Sequence, residues 1–102
     1  MITWIRSANI NHGKHGEAIS WAIRVSDYVN NKFGTHVTVH GNVAGPVNQI
    51  HWIGTFESLS AFETITGQIA SDEDYNKFLA ESSAANLFDT HSFVDTLYNS
   101  LG

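Results

Sequence analysis

The chain has 102 residues, five basic and ten acidic, for a net charge of −5, with 42% apolar, 12% aromatic and 15% charged residues. That balance excludes a disordered segment, whose chains are poor in hydrophobes and rich in charge, and it fits one domain, residues 1–102, with a core of its own. The lack of cysteine excludes disulfides, thiolate metal sites and thiol nucleophiles. Residues 1–56 carry four basic and two acidic side chains, whereas 57–102 carry one and eight. Basic residues this sparse give no phosphate-backbone footprint, so nucleic acid is not an expected partner. The segment Met1 to Ile10 contains Arg6 and no long apolar run, and no stretch approaches a membrane span. The expectation is a cytoplasmic protein with no membrane partner.

Thr3 to Ile10 is rich in branched and aromatic residues and runs into Asn11, His12 and Gly13, which predicts a strand entering a loop. From Glu17 to Phe33 the apolar residues Ala18, Trp21, Ala22, Val25, Val29 and Phe33 recur at helical spacing, and Gly34 stands at the C-terminal cap position. Thr35 to Val43 alternates, with Val37 and Val39 on one face and His36, Thr38 and His40 on the other. Ala44, Gly45 and Pro46 break the pattern, and Gln49 to Phe56 resumes it as the second arm of a hairpin. Ser60 followed by Glu63 reads as a capping box, and Gly67 and Ser71 interrupt the helix it begins. The acids Asp72, Glu73 and Asp74 favour a new helix start there, so the second helical region is split in two. Ser92 to Leu101 fits a last strand.

This order predicts an α+β fold of the ferredoxin-like βαββαβ type, in which helices cover one face of a four-stranded antiparallel sheet. The other face would carry Ile53 with His36, Thr38, His40, His51 and Thr55, a mixture too apolar for open water and too polar for a dry core. Packing it against the same face of a second copy gives a homodimer with a chamber between the sheets.

Gly13, Lys14, Glu17, Ala18, Trp21, Ala22 and Tyr28, followed by Asp74, Tyr75, Leu87 and Phe88, resemble the pattern of the dimeric alpha/beta barrel superfamily, especially its NIPSNAP-like branch. The resemblance implies the fold and the dimer. The superfamily includes cofactor-free monooxygenases acting on polycyclic phenols, haem-degrading proteins, dye-decolourising peroxidases, muconolactone isomerases and a polyketide cyclase. Its NIPSNAP-like branch has no agreed catalytic motif, so no residue role is carried over.

The candidate site comes from the predicted chamber. His36 and His40 on one strand would stand roughly 13 Å apart, too far to share an ion, and no metal or cofactor is expected. A turn centred on Gly45 and Pro46 sets His40 opposite His51, Thr38 opposite Ile53, and Val39 opposite Trp52 on the helix side. Two imidazoles meeting in a partly dry chamber would favour at least one neutral ring, able to accept a hydrogen bond or act as a general base. Arg6 would point either beneath the helices, where an unpaired guanidinium is costly, or into the chamber beside Trp4; the chamber is the preferred reading, with a pair to Asp95 as the alternative.

The expectation is therefore a homodimer whose inter-sheet cavity binds a lipophilic or acidic small molecule, with Arg6, His40 and His51 as anchors, Trp4 and Ile53 as walls, and His36 and Thr38 nearby. The alternative is a cofactor-independent monooxygenase or isomerase with a histidine general base. A third reading is an interaction subunit with a filled chamber. Nothing in the sequence fixes a reaction.

Overall fold

In the computed structural model, which describes residues 1–102, the elements are β1 (Ile2–Asn9), α1 (His15–Phe33), β2 (Thr38–Gly41), β3 (Gln49–Phe56), α2 (Leu59–Ala70), α3 (Glu73–Ala85) and β4 (Val94–Asn99). The strands form one antiparallel sheet in the order β2-β3-β1-β4, so the ferredoxin-like α+β architecture is observed. No helix is long and apolar enough to cross a membrane.

Side-chain alternation along β1 and β3 decides what lies under the helices. Ala8, Ile50 and Trp52 join Ile10 in the core and meet Ala18, Trp21, Ala22, Val25 and Val29 of α1, with Leu87 and Phe88 closing the far end. Ala18 and Ala22 are wholly buried, and their small side chains let α1 sit close on the sheet. Trp21, Trp52 and Phe88 pack edge to face, the geometry that ring quadrupoles favour. Gly34 takes the left-handed conformation (φ 67°) that ends α1, as its cap position required.

Expected boundaries move by a residue or more at several elements, and at β2 and α2 the local reason is visible. β2 is shorter than Thr35–Val43 because Asn30 claims the segment before it. The Asn30 carboxamide accepts from the Thr35 hydroxyl and the Val37 N–H and donates to the Val37 carbonyl, tying 35–37 to α1 and away from strand pairing. The cap of α2 lies two residues before the expected Ser60, because the Ser58 hydroxyl accepts the Ala61 N–H. Gly67 lies within α2. The break falls at Ser71, and Asp72 caps α3 by accepting the Tyr75 N–H.

Neither α2 nor α3 contributes a buried residue, in contrast to α1. The two short helices stand off the sheet. A void remains beneath them.

Candidate functional site

That void is a cavity of about 460 Å³, within the range of roughly 300–1,000 Å³ that holds small molecules. Its floor is sheet, with Trp4 and Arg6 from β1, Trp52 and Phe56 from β3, and Asp95 from β4. One wall is α1, through Trp21, Val25, Ser26 and Val29; the other is α2 and α3, through Phe62, Thr66, Ile69, Tyr75 and Leu79. Gly54 keeps the floor open. A Cβ there would meet Val37 at 3.2 Å and Trp4 at 3.5 Å, so a side chain would take the room these residues use.

Arg6 and Asp95 are direct partners across β1 and β4. Arg6 Nε donates to Asp95 Oδ1 at 2.7 Å and Nη2 to Oδ2 at 2.9 Å, a two-pronged pair. The hydrogen-bonded guanidinium holds the Asp95 carboxyl below its ordinary range, and the carboxylate raises Arg6 against the opposing effect of burial. The Arg6 guanidinium also lies 5.3 Å from the Trp4 ring centroid, within cation–π distance.

Arg6 and Trp4 therefore lie under the helices, not beside the histidines. The expected chamber placement is corrected: their parity is that of Ala8 and Ile10, which the core fixes, and Asp95 removes the cost that argued against burial there. The alternative pairing of Arg6 with Asp95 is the one observed. Trp21, from the apolar stripe of α1, and Trp52, on the helix side of the sheet, also line the cavity.

The opposite face of the sheet holds the rest of the expected set. His40 is the cross-strand partner of His51 and Thr38 that of Ile53. The two rings do not bond each other. His40 Nε2 meets the Thr38 hydroxyl at 2.7 Å. His36 is exposed and precedes β2. His51 is engaged at both nitrogens, with Ser7 Oγ 2.6 Å from Nδ1 and Asn42 Oδ1 2.7 Å from Nε2. The Asn42 amide donates to Pro46 O and Gln49 Oε1, which leaves its oxygen to accept from His51. In its uncharged form the ring thus carries its proton on Nε2 and accepts the Ser7 hydroxyl at Nδ1. No cluster of three or more His, Asp or Glu side chains is arranged to hold a metal ion.

No protein-family model matches the sequence, and no curated protein does either. Solved structures do. A NIPSNAP family protein from Agrobacterium tumefaciens str. C58 superposes with a TM-score of 0.82 at 19% identity, covering 98% of this chain and 92% of that one. This chain shares its fold with that protein. A NIPSNAP domain protein from Burkholderia xenovorans gives 0.82 at 12% identity over 99% and 95% of the two chains. SnoaB, a cofactor-independent oxygenase from Streptomyces nogalater, gives 0.71 at 15% over 99% and 93%. At such identities the likeness establishes architecture alone, so what this chain can do must be read from its own residues.

Sequence reasoning missed Ser26. It stands four residues after Ala22, on the buried side of α1, and is 6% exposed. A serine inside an otherwise apolar stripe is the signal that would have marked the cavity wall.

Proposed function

We propose that the protein binds a neutral, largely apolar small molecule in the cavity between the helices and the sheet. The observation that carries this is a roomy space lined mainly by aromatic and aliphatic side chains, with its few polar groups at defined points. Arg6 and Trp4 serve as ligand contacts there. Because Asp95 already occupies one edge of the guanidinium, an acidic ligand would meet a carboxylate as well as a cation, which favours a neutral polar group over a free acid. All three tryptophans of the chain line the cavity, so their emission reports occupancy. Titration with 9-fluorenone should give a saturable change in tryptophan fluorescence; no saturable change would overturn the reading.

The same proposal includes a homodimer formed through the uncovered sheet faces. Its support is the apolar content of that face, where Ile5 pairs with Ile53 and where Val94 and Tyr98 are 59% and 55% exposed. Thr38, His40, His51 and Ile53 would then line the space between the sheets. The second reading, a cofactor-independent oxygenase or isomerase, draws on the fold shared with SnoaB. Its base would be His40, since His51 is engaged at both nitrogens. Deuterium exchange into an enolisable ketone that is lost in His40→Ala would support it, and equal exchange in both proteins would remove it.

A further inference from the structure

The hydroxyl of Ser7 is 2.6 Å from Nδ1 of His51, and Nε2 of the same ring is 2.7 Å from Oδ1 of Asn42. With the ring proton on Nε2, where the Asn42 oxygen accepts it, the Nδ1 lone pair faces the Ser7 hydroxyl, which donates to it. A hydroxyl hydrogen-bonded to a base, with that base held by a third group, is the arrangement that makes an alcohol nucleophilic. One other hydroxyl of the chain meets an imidazole, that of Thr38 at His40. Its proton has the Ile53 carbonyl as a partner, and Nδ1 of His40 has none.

The three groups come from separate parts of the chain and are held by the sheet. Ser7 lies on β1, a central strand, with His51 of β3 as its direct cross-strand partner. Asn42 is fixed in turn by its amide bonds to Pro46 O and Gln49 Oε1. Side chains set on paired strands keep their mutual geometry better than side chains on loops. The face that carries them is the one the helices leave uncovered, so an external molecule reaches it without any opening of the chain's fold.

We infer that Ser7 is the nucleophile of an acyl-transfer site for esters of apolar acids, with His51 as its general base and Asn42 as the residue that positions the base. This goes beyond the cavity reading and does not depend on it, because neither Ser7 nor His51 lines the cavity. Ser7 Oγ forms a bond to the ester carbonyl carbon as its proton passes to His51 Nδ1, and the tetrahedral intermediate expels the alcohol, which leaves with that proton. Water then attacks the acyl-serine by the same route and releases the acid and the free hydroxyl. The oxygen that turns negative needs donors. Asn9 and Gln49, direct partners two residues along the same face, offer them. Neither carboxamide nitrogen has a partner in the chain, and neither is buried, since Ser26 Oγ is the sole buried side-chain polar atom without one. In the other direction Ile5 and Ile53, again direct partners, give apolar ground for the acyl chain.

The test is an alkyl fluorophosphonate, which adds to activated serines: the bond from Oγ to phosphorus forms, fluoride leaves and the proton passes to His51. The intact mass of the wild type should rise by one phosphonyl group per chain, and peptide mapping should place it on Ser7. Ser7→Ala should take none, and His51→Gln should react about a hundredfold more slowly. Asn42→Ala should react about tenfold more slowly, and Asn42→Asp, whose carboxylate also accepts from Nε2, should recover the rate, which a purely structural role would not give. An unlabelled wild type, a label on another residue instead, or equal labelling of His51→Gln overturns the nucleophile and leaves fluorenone binding in the cavity as it stands. A wild type that takes the phosphonate but releases nitrophenol from p-nitrophenyl butyrate no faster than Ser7→Ala overturns the ester substrate.

Discussion

Arg6 and Asp95 face each other across β1 and β4 and are joined by two hydrogen bonds, of 2.7 and 2.9 Å, at the floor of the cavity. The pair makes the floor polar without giving it a net charge. Replacing Asp95 with Asn should free the guanidinium for an anionic ligand while keeping the side chain's shape. Fluorenone-4-carboxylate, expected to bind the wild type more weakly than 9-fluorenone, should overtake it in Asp95→Asn. The side chains of Arg6 and Asp95 are 35% and 46% exposed, so solvent screens the pair and the variant should lose only about 1 kcal/mol of stability. Fluorescence titration and a urea melt read the two effects separately. An unchanged order of affinities would place the ligand away from Arg6.

Gly54 is the position at which the cavity can be closed from the sheet. Its missing side chain leaves Trp4 and Val37 their places, and an added Cβ would come within 3.2 Å of Val37. Gly54→Val should abolish the fluorenone response and cost about 1–3 kcal/mol from overpacking. A folded variant that still binds as the wild type does would show that the ligand does not use this part of the floor.

How far the sequence could be read depended on what fixed each residue's surroundings. The hairpin register was legible because Gly45 and Pro46 mark the turn and strand side chains alternate strictly, so the opposition of His40 and His51 followed from arithmetic. The face of Arg6 followed from the same alternation, through Ala8 and Ile10, but a rule against buried charge outweighed it in the reading. The partner that cancels that rule, Asp95, lies 89 residues away. The cavity itself was not legible. It arises because α2 and α3 stand off the sheet while α1 does not, and no local pattern encodes that difference in height. The partners of His51 were equally hidden, since Asn42 belongs to the turn and Ser7 to a strand far away in sequence.

That network gives His51 a defined proton position. In the uncharged ring, long-range proton–nitrogen spectra should show His51 protonated at Nε2 with Nδ1 as acceptor, the tautomer that the Asn42 oxygen selects. Asn42→Ala removes the acceptor and should bring the ring to a mixture of tautomers. The Nδ1-protonated form as the major species in the wild type would contradict the network.

If the uncovered sheet face is the dimer contact, a charge at its centre should split the protein. Ile53, paired with Ile5, is the place for it, and Ile53→Glu is expected to give a folded monomer by light scattering where the wild type gives twice the mass. A wild type that is monomeric at micromolar concentration would overturn the dimer and leave the cavity intact, because every residue lining the cavity comes from one chain.

Asp72 governs the junction of α1 with α3 and gives the protein an acid limit. Its carboxylate accepts from the Tyr28 hydroxyl at 2.6 Å and from the Tyr75 N–H, and it pairs with Lys32. The Lys32 ammonium, then the Tyr28 hydroxyl, lower its pKa from 3.8 to about 2. A depressed pKa in the folded state means that the unfolded chain binds the proton first. The stabilisation is complete above about pH 4 and is lost as the pH falls towards 2. Asp95 and Glu81, also lowered by their arginine partners, act in the same direction. The melting temperature should therefore fall steeply between pH 4 and pH 2. In Asp72→Asn the melting temperature should be lower at neutral pH, and the acid slope shallower though not absent, since the other two carboxylates remain. A slope identical to the wild type's would show that Asp72 titrates alike in the folded and unfolded chains.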